Sequence, residues 1–450
     1  MRLKVRYTGL RFTIMEHIHF IGIGGIGVSA LARYHLSRGD TVSGSDLTPS
    51  EITADLARAG VFVIIGPHAK PNVPSGTTRV IYTAAIPPKN PERAAARARR
   101  IPAHSYAEAV GDITKKYKTV TISGSHGKTT TTALAALVLE EGYFDPTVIV
   151  GAKIKEFGNT NFRRGQGSHL VLEADEWNRS FLNYSPHIAV VTNIDAEHLD
   201  TYGDLAGVES AFKEYLGRVP ADGAIIANRD DEPTRRVAKS FGKKVTWYSV
   251  KDAARDPVRA VLKISGEHNI SNALAALTVG RVLGIREPDI LRALSRFTGA
   301  WRRFEFKGLF NGAFLFSDYA HHPREIAATL SAARERFPLR RVVCVYQPHQ
   351  HQRLQHLWDD FLGAFDLADR VVLLPVYDVA GRDTTKARQA VNSEKLVSAL
   401  QERGKDAGYV ANFAEAREHL RATVRPGDSV LLMGAGDIYD LTTDLSKNIV

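Results

Sequence analysis

The chain has a single cysteine, Cys344, in 450 residues. One cysteine excludes a disulfide framework and a cysteine-based metal site, and it fits a reducing compartment. No apolar run approaches the roughly 18 residues that a membrane helix needs. No short-period repeat and no low-complexity tract is present. The net charge of +10 is not gathered into an aromatic-studded basic block, so nucleic acid is not expected as a partner. Anionic nucleotides as substrates account for the same balance. Arg2, Lys4, Arg6 and Arg11 carry four of those charges, but no apolar stretch follows them as a secretory signal requires. Met15, just before the first apolar run, marks a candidate start of the native chain. The expectation is a cytoplasmic protein with no membrane partner, monomeric or homodimeric.

Apolar residues make up 44% of the chain and charged ones 24%, near the globular average. The length suits two to four domains. Short apolar runs alternate with helical patterns throughout, which predicts α/β folds with parallel sheets. The first segment has strands at 17–22, 61–65 and 79–82 and one that ends at Ser43-Gly44-Ser45-Asp46, with a helix from Val28 to Ser37. The second has strands at 118–123, 170–172, 188–192 and 224–228, with helices from Thr130 to Glu141 and from Asn272 to Leu283. The third has strands at 341–346, 370–374 and 429–433. The expected divisions are 1–115, 116–298 and 299–450. The short, charge-rich stretch 248–263 reads as an exposed loop or an abbreviated region.

Gly124-Ser125-His126-Gly127-Lys128-Thr129-Thr130 sits between a strand and a helix. Glycines let backbone N–H groups converge on phosphate oxygens, and the helix N-terminus adds a favourable dipole. Lys128 reaches the β- and γ-phosphates in such loops, and the Thr129 hydroxyl meets Mg²⁺. Two residues separate the glycines, where the common ATP-binding pattern has four.

Gly22, Gly24 and Gly27 follow the first strand in G-x-G-x-x-G register, with Asp46 about twenty residues on. NAD, FAD and UDP-sugars all suit this turn, as does a tight turn with no ligand. A dehydrogenase leaves the lysine loop unexplained, and a simple ATPase leaves the glycine turn unexplained. A ligase that activates a nucleotide-linked substrate with ATP uses both.

Glu173-Ala-Asp175-Glu176 and Asp195-Ala-Glu197-His198-Leu-Asp200 each follow a strand, where ligands bind in open α/β sheets. Their oxygens suit Mg²⁺, and a neutral imidazole can also ligate. His268, Asn269 and Asn272 open an Ala-rich helix, where capping is the simple reading. His321 and His322 are adjacent and point to opposite faces if extended, which favours one substrate contact over a zinc pair. His349 and Arg353 suit an amino-acid carboxylate.

Together these motifs resemble the Mur ligase family over nearly the whole chain. The carrying segments are Gly-Ile-Gly-Gly-Ile-Gly, Ser-Gly-Ser-His-Gly-Lys-Thr-Thr-Thr, Glu-Ala-Asp-Glu, Thr-Asn-Ile-Asp with His198, His268-Asn269 with Asn272, Arg302-Arg303-Phe-Glu, Asp-Tyr-Ala-His-His-Pro and Gly-Ala-Gly-Asp-Ile, in family order. The resemblance implies a Rossmann-like N-terminal UDP-substrate domain, a central P-loop ATPase domain and a Rossmann-like C-terminal amino-acid domain. It is strongest to the branch that joins L-alanine to UDP-N-acetylmuramate in peptidoglycan synthesis, through an acyl phosphate, with ATP and Mg²⁺.

By that resemblance Gly124 to Thr130, Asn269, Arg303 and Asp318 bind ATP, with Lys128, Glu173 and His198 catalytic. Thr129, Glu173 and His198 hold the metal. Gly24, Gly25, Ile26, Gly27, Asp46, His68 and Thr83 line the UDP site, and Tyr319, His349 and Arg353 meet the amino acid. The chain departs from the branch pattern at Gln350, where an arginine is usual, at Trp177-Asn178, and at Ser317 and Ala320. Ala320 is shared with the recycling ligase that adds a wall tripeptide. Three alternatives stand: that ligase, a nucleotide-binding Mur-like protein without ligase activity, and a nicotinamide oxidoreductase.

Overall fold

The computed structural model describes residues 15–378 and 383–447. The basic stretch with Arg2, Lys4, Arg6 and Arg11 lies outside the described residues. Three sheets follow one another along the chain. The first holds β1 (His17–Ile21), β2 (Thr41–Asp46), β3 (Phe62–Ile65), β4 (Arg79–Tyr82) and β5 (Ala103–Ser105), in the order β3-β2-β1-β4-β5. All its strands are parallel. Its central strand β1 is covered on both faces, with Ile18, His19, Phe20 and Ile21 all buried, as a parallel centre strand requires.

The second sheet holds β6 (Lys118–Ser123), β7 (Thr147–Ile154), β8 (Thr160–Arg163), β9 (His169–Glu173), β10 (Ile188–Val191), β11 (Ala224–Asn228) and β12 (Val245–Tyr248). Its order is β12-β11-β10-β6-β9-β7-β8. Only β7 and β8 pair antiparallel, at one edge. Because β6 lies between β10 and β9, whatever follows these three strands meets at one end of the sheet. Helices Lys128–Glu141 and Glu267–Val282 pack on each other through alanine-rich, buried stretches, residues 133–139 and 273–279. Small side chains let the two axes approach closely. A helix buried nearly all round needs no amphipathic stripe.

The third sheet holds β13 (Glu305–Phe310), β14 (Ala313–Asp318), β15 (Val342–Tyr346), β16 (Arg370–Leu373), β17 (Ala407–Tyr409) and β18 (Ser429–Met433). The order is β13-β14-β18-β15-β16-β17, with an antiparallel β13–β14 hairpin at one edge.

Several elements differ from expectation. The strands β5, β7, β8, β12, β13, β14 and β17 were not legible; most are edge or hairpin strands with polar or glycine interruptions. Three helices begin earlier than their apolar periodicity suggests, at Ile26, Lys128 and Glu267. The stretch 248–263 is not an exposed loop. Tyr248 ends β12 and is buried, and helix Arg255–Val261 buries Val258 completely. One apolar anchor in a short charged helix leaves almost no periodic signal.

Val258→Ala removes two methyl groups from this contact. We expect a loss of about 1–3 kcal/mol, read from the shift in the urea midpoint. A change within about 0.5 kcal/mol, typical of exposed positions, would return the segment to a surface loop.

Candidate functional site

The loop after β6 turns through two glycines in left-handed or extended-positive backbone, Gly124 at φ +130° and Gly127 at φ +81°. A Cβ on Gly124 would collide with the Thr192 hydroxyl, and one on Gly127 with the Asn272 amide. The loop is clipped to the end of β10. Asn193 Oδ1 accepts from the His126 N–H at 2.8 Å, and Thr192 Oγ1 donates to the His126 carbonyl at 2.7 Å. Ser125 Oγ accepts from the Asp195 N–H at 2.8 Å. Thr131, one residue past the expected set, donates to Asn272 Oδ1 at 3.2 Å. His268, Asn269 and Asn272 therefore lie inside the helix Glu267–Val282 and do not cap it; Gly266 takes the cap position.

Lys128 Nζ folds back on its own loop. It donates to the Gly124 carbonyl at 2.7 Å and to Glu176 at 2.9 Å, with Asp175 at 3.8 Å. Burial opposes its charge, but Glu176 and Asp175 outweigh burial and raise its pKa. Thr129 Oγ1 donates to Glu173 Oε1 at 3.0 Å, and the other carboxylate oxygen accepts from the Gly151 N–H at 2.7 Å. Burial raises the pKa of Glu173 despite Lys128 and Arg303 nearby. His198 is not beside this pair in a hydrogen bond. Its Nε2 lies 3.7 Å from Glu176 and 3.6 Å from Glu197. The ligand atoms of Asp175, Glu176 and His198 lie within 4.8 Å of one another. Thr129 and Glu173 on one side, and this trio on the other, flank the Lys128 ammonium.

A cavity of about 470 Å³ opens at the start of helix Lys128–Glu141. Gly127, Thr129, Thr130 and Asn269 line it from the second sheet's side, and Arg303 and Asp318 from the third. Asp318 ends β14, and its carboxylate accepts from the Phe304 and Ala320 N–H groups, both at 2.7 Å. Burial pushes its pKa up to about 6 against the pull of Arg303. Arg302 and Arg303 diverge. Arg302 binds the Gly434 and Gly436 carbonyls at 2.6 and 3.1 Å, whereas Arg303 lies 3.7 Å from Glu325 at the cavity wall.

Ion pairs join the second and third sheets. His126 meets Asp195 at 3.1 Å and Glu325 at 3.5 Å. Arg324 meets Asp195 at 3.2 Å, and Arg353 meets Glu197 at 3.7 Å. His321 and His322 have different contacts. His321 Nδ1 donates to the Tyr319 carbonyl at 3.1 Å beside Glu325, while His322 caps helix Pro323–Arg336 and lies against the His126 ring. Tyr319 sits between Arg302 and Arg303, with guanidinium carbons 4.9 and 5.2 Å from its ring centre. A row of rings, Tyr319–His321–His349–Tyr377, leads from there to Arg353, which donates to His349 Nδ1 at 3.2 Å. Gln350 takes φ +70°, and its buried Nε2 has no hydrogen-bond partner among the described residues.

The glycine turn lies at the end of β1. Asp46 Oδ2 accepts from the Gly24 N–H at 2.8 Å, Gly25 precedes the helix that starts at Ile26, and a Cβ on Gly27 would press on Tyr106. Thr83 follows β4 and packs its methyl under Gly22. His68 binds Ser45 Oγ at 3.2 Å and Glu92 at 3.1 Å. The fully buried Glu92 also holds His19, Ser45 and Asn72. Burial opposes its charge, but these hydrogen bonds lower its pKa to about 2. Glu92, Glu325 and Asn193 were not legible as site residues. Glu92 lies far from the glycine turn in sequence, Glu325 reads as a capping acid, and Asn193 carried no separate signal.

His126 titrates in an accessible range. Burial lowers its pKa, but Asp195 and Glu325 outweigh burial and raise it from 6.5 to about 9. A raised folded-state pKa stabilises fully below 6.5, and this contribution is lost as pH rises through 9. We expect the melting temperature of the wild type to fall between pH 6.5 and 9 more steeply than that of His126→Gln. Parallel curves would mean that the imidazolium pairing adds nothing.

With this geometry in hand, comparison with known proteins gives one answer. Three family models match in sequence order: "Mur ligase family, catalytic domain" over residues 17–118, "Mur ligase middle domain" over 122–261, and "Mur ligase, glutamate ligase domain" over 302–436. The UDP-N-acetylmuramate–L-alanine ligase of Desulfosudis oleivorans is 40% identical, covering 95% of this chain and 97% of that protein. The protein of the same name from Alkaliphilus metalliredigens is 38% identical, over 94% and 96%. The crystal structure of UDP-N-acetylmuramate-alanine ligase from Thermotoga maritima superposes with a TM-score of 0.80 at 30% identity, over 96% and 98%. The chain belongs to the Mur ligase family.

Proposed function

We infer that the chain joins L-alanine to the carboxylate of UDP-N-acetylmuramate at the expense of ATP, in peptidoglycan precursor synthesis. The observation that carries the reading is one cavity lined by Gly127, Thr129 and Thr130 of the Lys128 loop, by Asn193 after β10 and by Arg303 with Asp318, with Glu173 bonded to Thr129 and Glu176 to Lys128. Relatives 38–40% identical over nearly the whole chain bear the name of that reaction. We take 1–115 as the UDP-substrate part, 116–298 as the ATP part and 299–450 as the amino-acid part. No described helix is long and apolar enough to cross a membrane, and we place the reaction in the cytoplasm.

A carboxylate is a poor acyl donor, because its oxygen is a poor leaving group. Transfer of the ATP γ-phosphoryl group to it makes an acyl phosphate. The amine then attacks the carbonyl carbon, the C–N bond forms, and phosphate departs with the C–O bond electrons. The loop amides and Lys128 stabilise charge on the phosphoryl oxygens. Lys128 must exchange Glu176 for phosphate to do so. Asn269, Arg303 and Asp318 position the nucleotide from both sides of the cavity. The donor set fits Mg²⁺: hard oxygens of Thr129 and Glu173, with His198 beside Asp175 and Glu176. The ion would screen phosphate charge there and keep Glu173 ionised against its burial. Gly24, Gly25, Ile26, Gly27, Asp46, His68 and Thr83 receive the UDP moiety. Tyr319, His349 and Arg353 receive the amino acid, and Arg353 is the cation left for its carboxylate where Gln350 is neutral.

The test is ADP release with UDP-N-acetylmuramate, Mg-ATP and either L-alanine or the wall tripeptide, with products identified by mass. We expect turnover with L-alanine, reduced about 100-fold or more in Lys128→Ala. Turnover with the tripeptide alone would move the chain to the recycling branch. A folded, nucleotide-binding protein that makes neither product would exclude ligation.

A further inference from the structure

Lys153 lies in β7, yet its side chain serves none of the strands beside it. Its Nζ donates to the Glu51 carboxylate at 2.6 Å and to the Asp55 carboxylate at 2.7 Å. Both acids belong to helix Glu51–Arg58, which follows β2 of the first sheet. The lysine side chain is only 5% exposed. It also meets the third segment. Its ammonium is 5.6 Å from the Trp301 ring centre, its carbonyl accepts from the Trp301 N–H at 3.0 Å, and Trp301 Nε1 donates to the Tyr439 hydroxyl at 2.7 Å. One residue thus touches parts of all three segments. It also lines the cavity that holds Gly127, Thr129 and Arg303.

The helix that Lys153 grips is a wall of the glycine turn. A Cβ on Gly24 would meet the Asp46 carboxylate and the Thr53 methyl, and Thr53 lies on the same helix as Glu51 and Asp55. Movement of that helix therefore changes the space around Gly24. Burial raises the pKa of Asp55, but its bonds to Lys153 and Arg58 outweigh that and leave it lowered, so the carboxylate is charged when it faces the ammonium.

A buried ammonium that loses its partners costs several kcal/mol unless water replaces them. If the first segment swings away, Lys153 loses both carboxylates. With the cavity open to water, solvent can take their place. With a nucleotide filling the cavity and the third segment closed on it, solvent is excluded and the pairing counts for more. That difference between the two states is what coupling between sites requires.

We propose that Lys153 is a positioning residue that couples nucleotide occupancy of the cavity to closure of the first segment on the UDP-linked substrate, with Glu51 and Asp55 as its latch. The proposal rests on the reading above for what binds at each place. By linkage, nucleotide tightens the UDP ligand and the UDP ligand tightens nucleotide by the same factor.

The experiment is calorimetric titration of the full chain with UDP-N-acetylmuramate, with and without Mg-ADP. For the wild type we expect tightening by roughly 5- to 150-fold when Mg-ADP is present. Lys153→Met should bind equally with and without it, while Lys153→Arg keeps the tightening. Glu51→Gln with Asp55→Asn should lose it too, and adding Lys153→Met should cause no further loss, as expected of one shared interaction. The Glu51 and Asp55 substitutions, at an exposed and a part-buried position, keep the test open if Lys153→Met fails to fold. Equal weakening of both titrations in Lys153→Met, full tightening retained in it, or no tightening in the wild type would each overturn the coupling. A wild type that turns over L-alanine while showing one of those results would overturn this proposal alone. A folded wild type that binds neither ligand would overturn the functional reading as well.

Discussion

Charge removed from water must meet opposite charge, and the cleft between the second and third sheets depends on that requirement. Lys128, His126, Arg303 and Arg353 are set against Glu176, Asp195, Glu325 and Glu197. Burial alone would neutralise several of these groups. Instead Glu325 is held well below the usual carboxylate range, because His321, His126 and Arg303 outweigh its burial. Glu197 is held low in the same way, by Arg353 and the neighbouring histidines. His126–Glu325, Arg324–Asp195 and Arg353–Glu197 cross between the second and third segments, so the third segment cannot leave without stranding charge on both sides. Breaking a buried pair is far more costly than forming one is favourable.

Sheet order explains why these charges meet. The lysine loop, Glu173 and Asn193 follow β6, β9 and β10, which are sheet neighbours far apart in sequence. Asp318 and Gly434 follow β14 and β18, neighbours again. A doubly wound sheet gathers strand ends at one edge, so Gly127, Asn193 and Asp318, far apart in sequence, line one cavity.

That rule is also why much of the site was legible from sequence. Gly124 to Thr130 follow β6 directly, Glu173 ends the apolar β9 and Asp46 ends β2, and local pattern plus position was enough to single them out. What sequence hid is of two kinds. Glu92 and Glu325 act through partners distant in sequence, and an acid early in a helix looks like a dipole complement. His198 and Glu173 were grouped together by the family resemblance, whereas the structure sets His198 against Glu176 and Glu197. The fold shows the same division. Central strands such as β1 and β6 are read from apolar content, but β12, β13 and helix Arg255–Val261 are half-covered edge elements whose burial is decided by what packs on them.

The amino-acid end of the cleft is built differently from the phosphate end. Around the phosphate loop, the Lys128 ammonium, the Thr129 hydroxyl and the Ser125 hydroxyl are each paired within the second segment. Near Arg353, the buried Gln350 Nε2, His322 Nε2 and Glu197 Oε1 have no hydrogen-bond partner among the described residues. Unpaired buried polar groups are costly, and under the function proposed above they lie beside the residues that receive the amino acid. A ligand carrying both ammonium and carboxylate offers partners to groups of both kinds. On that reading the side chains of the phosphate loop are paired before any ligand arrives, while the groups near Arg353 gain their missing bonds only when the amine does. That asymmetry favours the order in which the carboxylate is activated first and the amine binds to a site already shaped by closure.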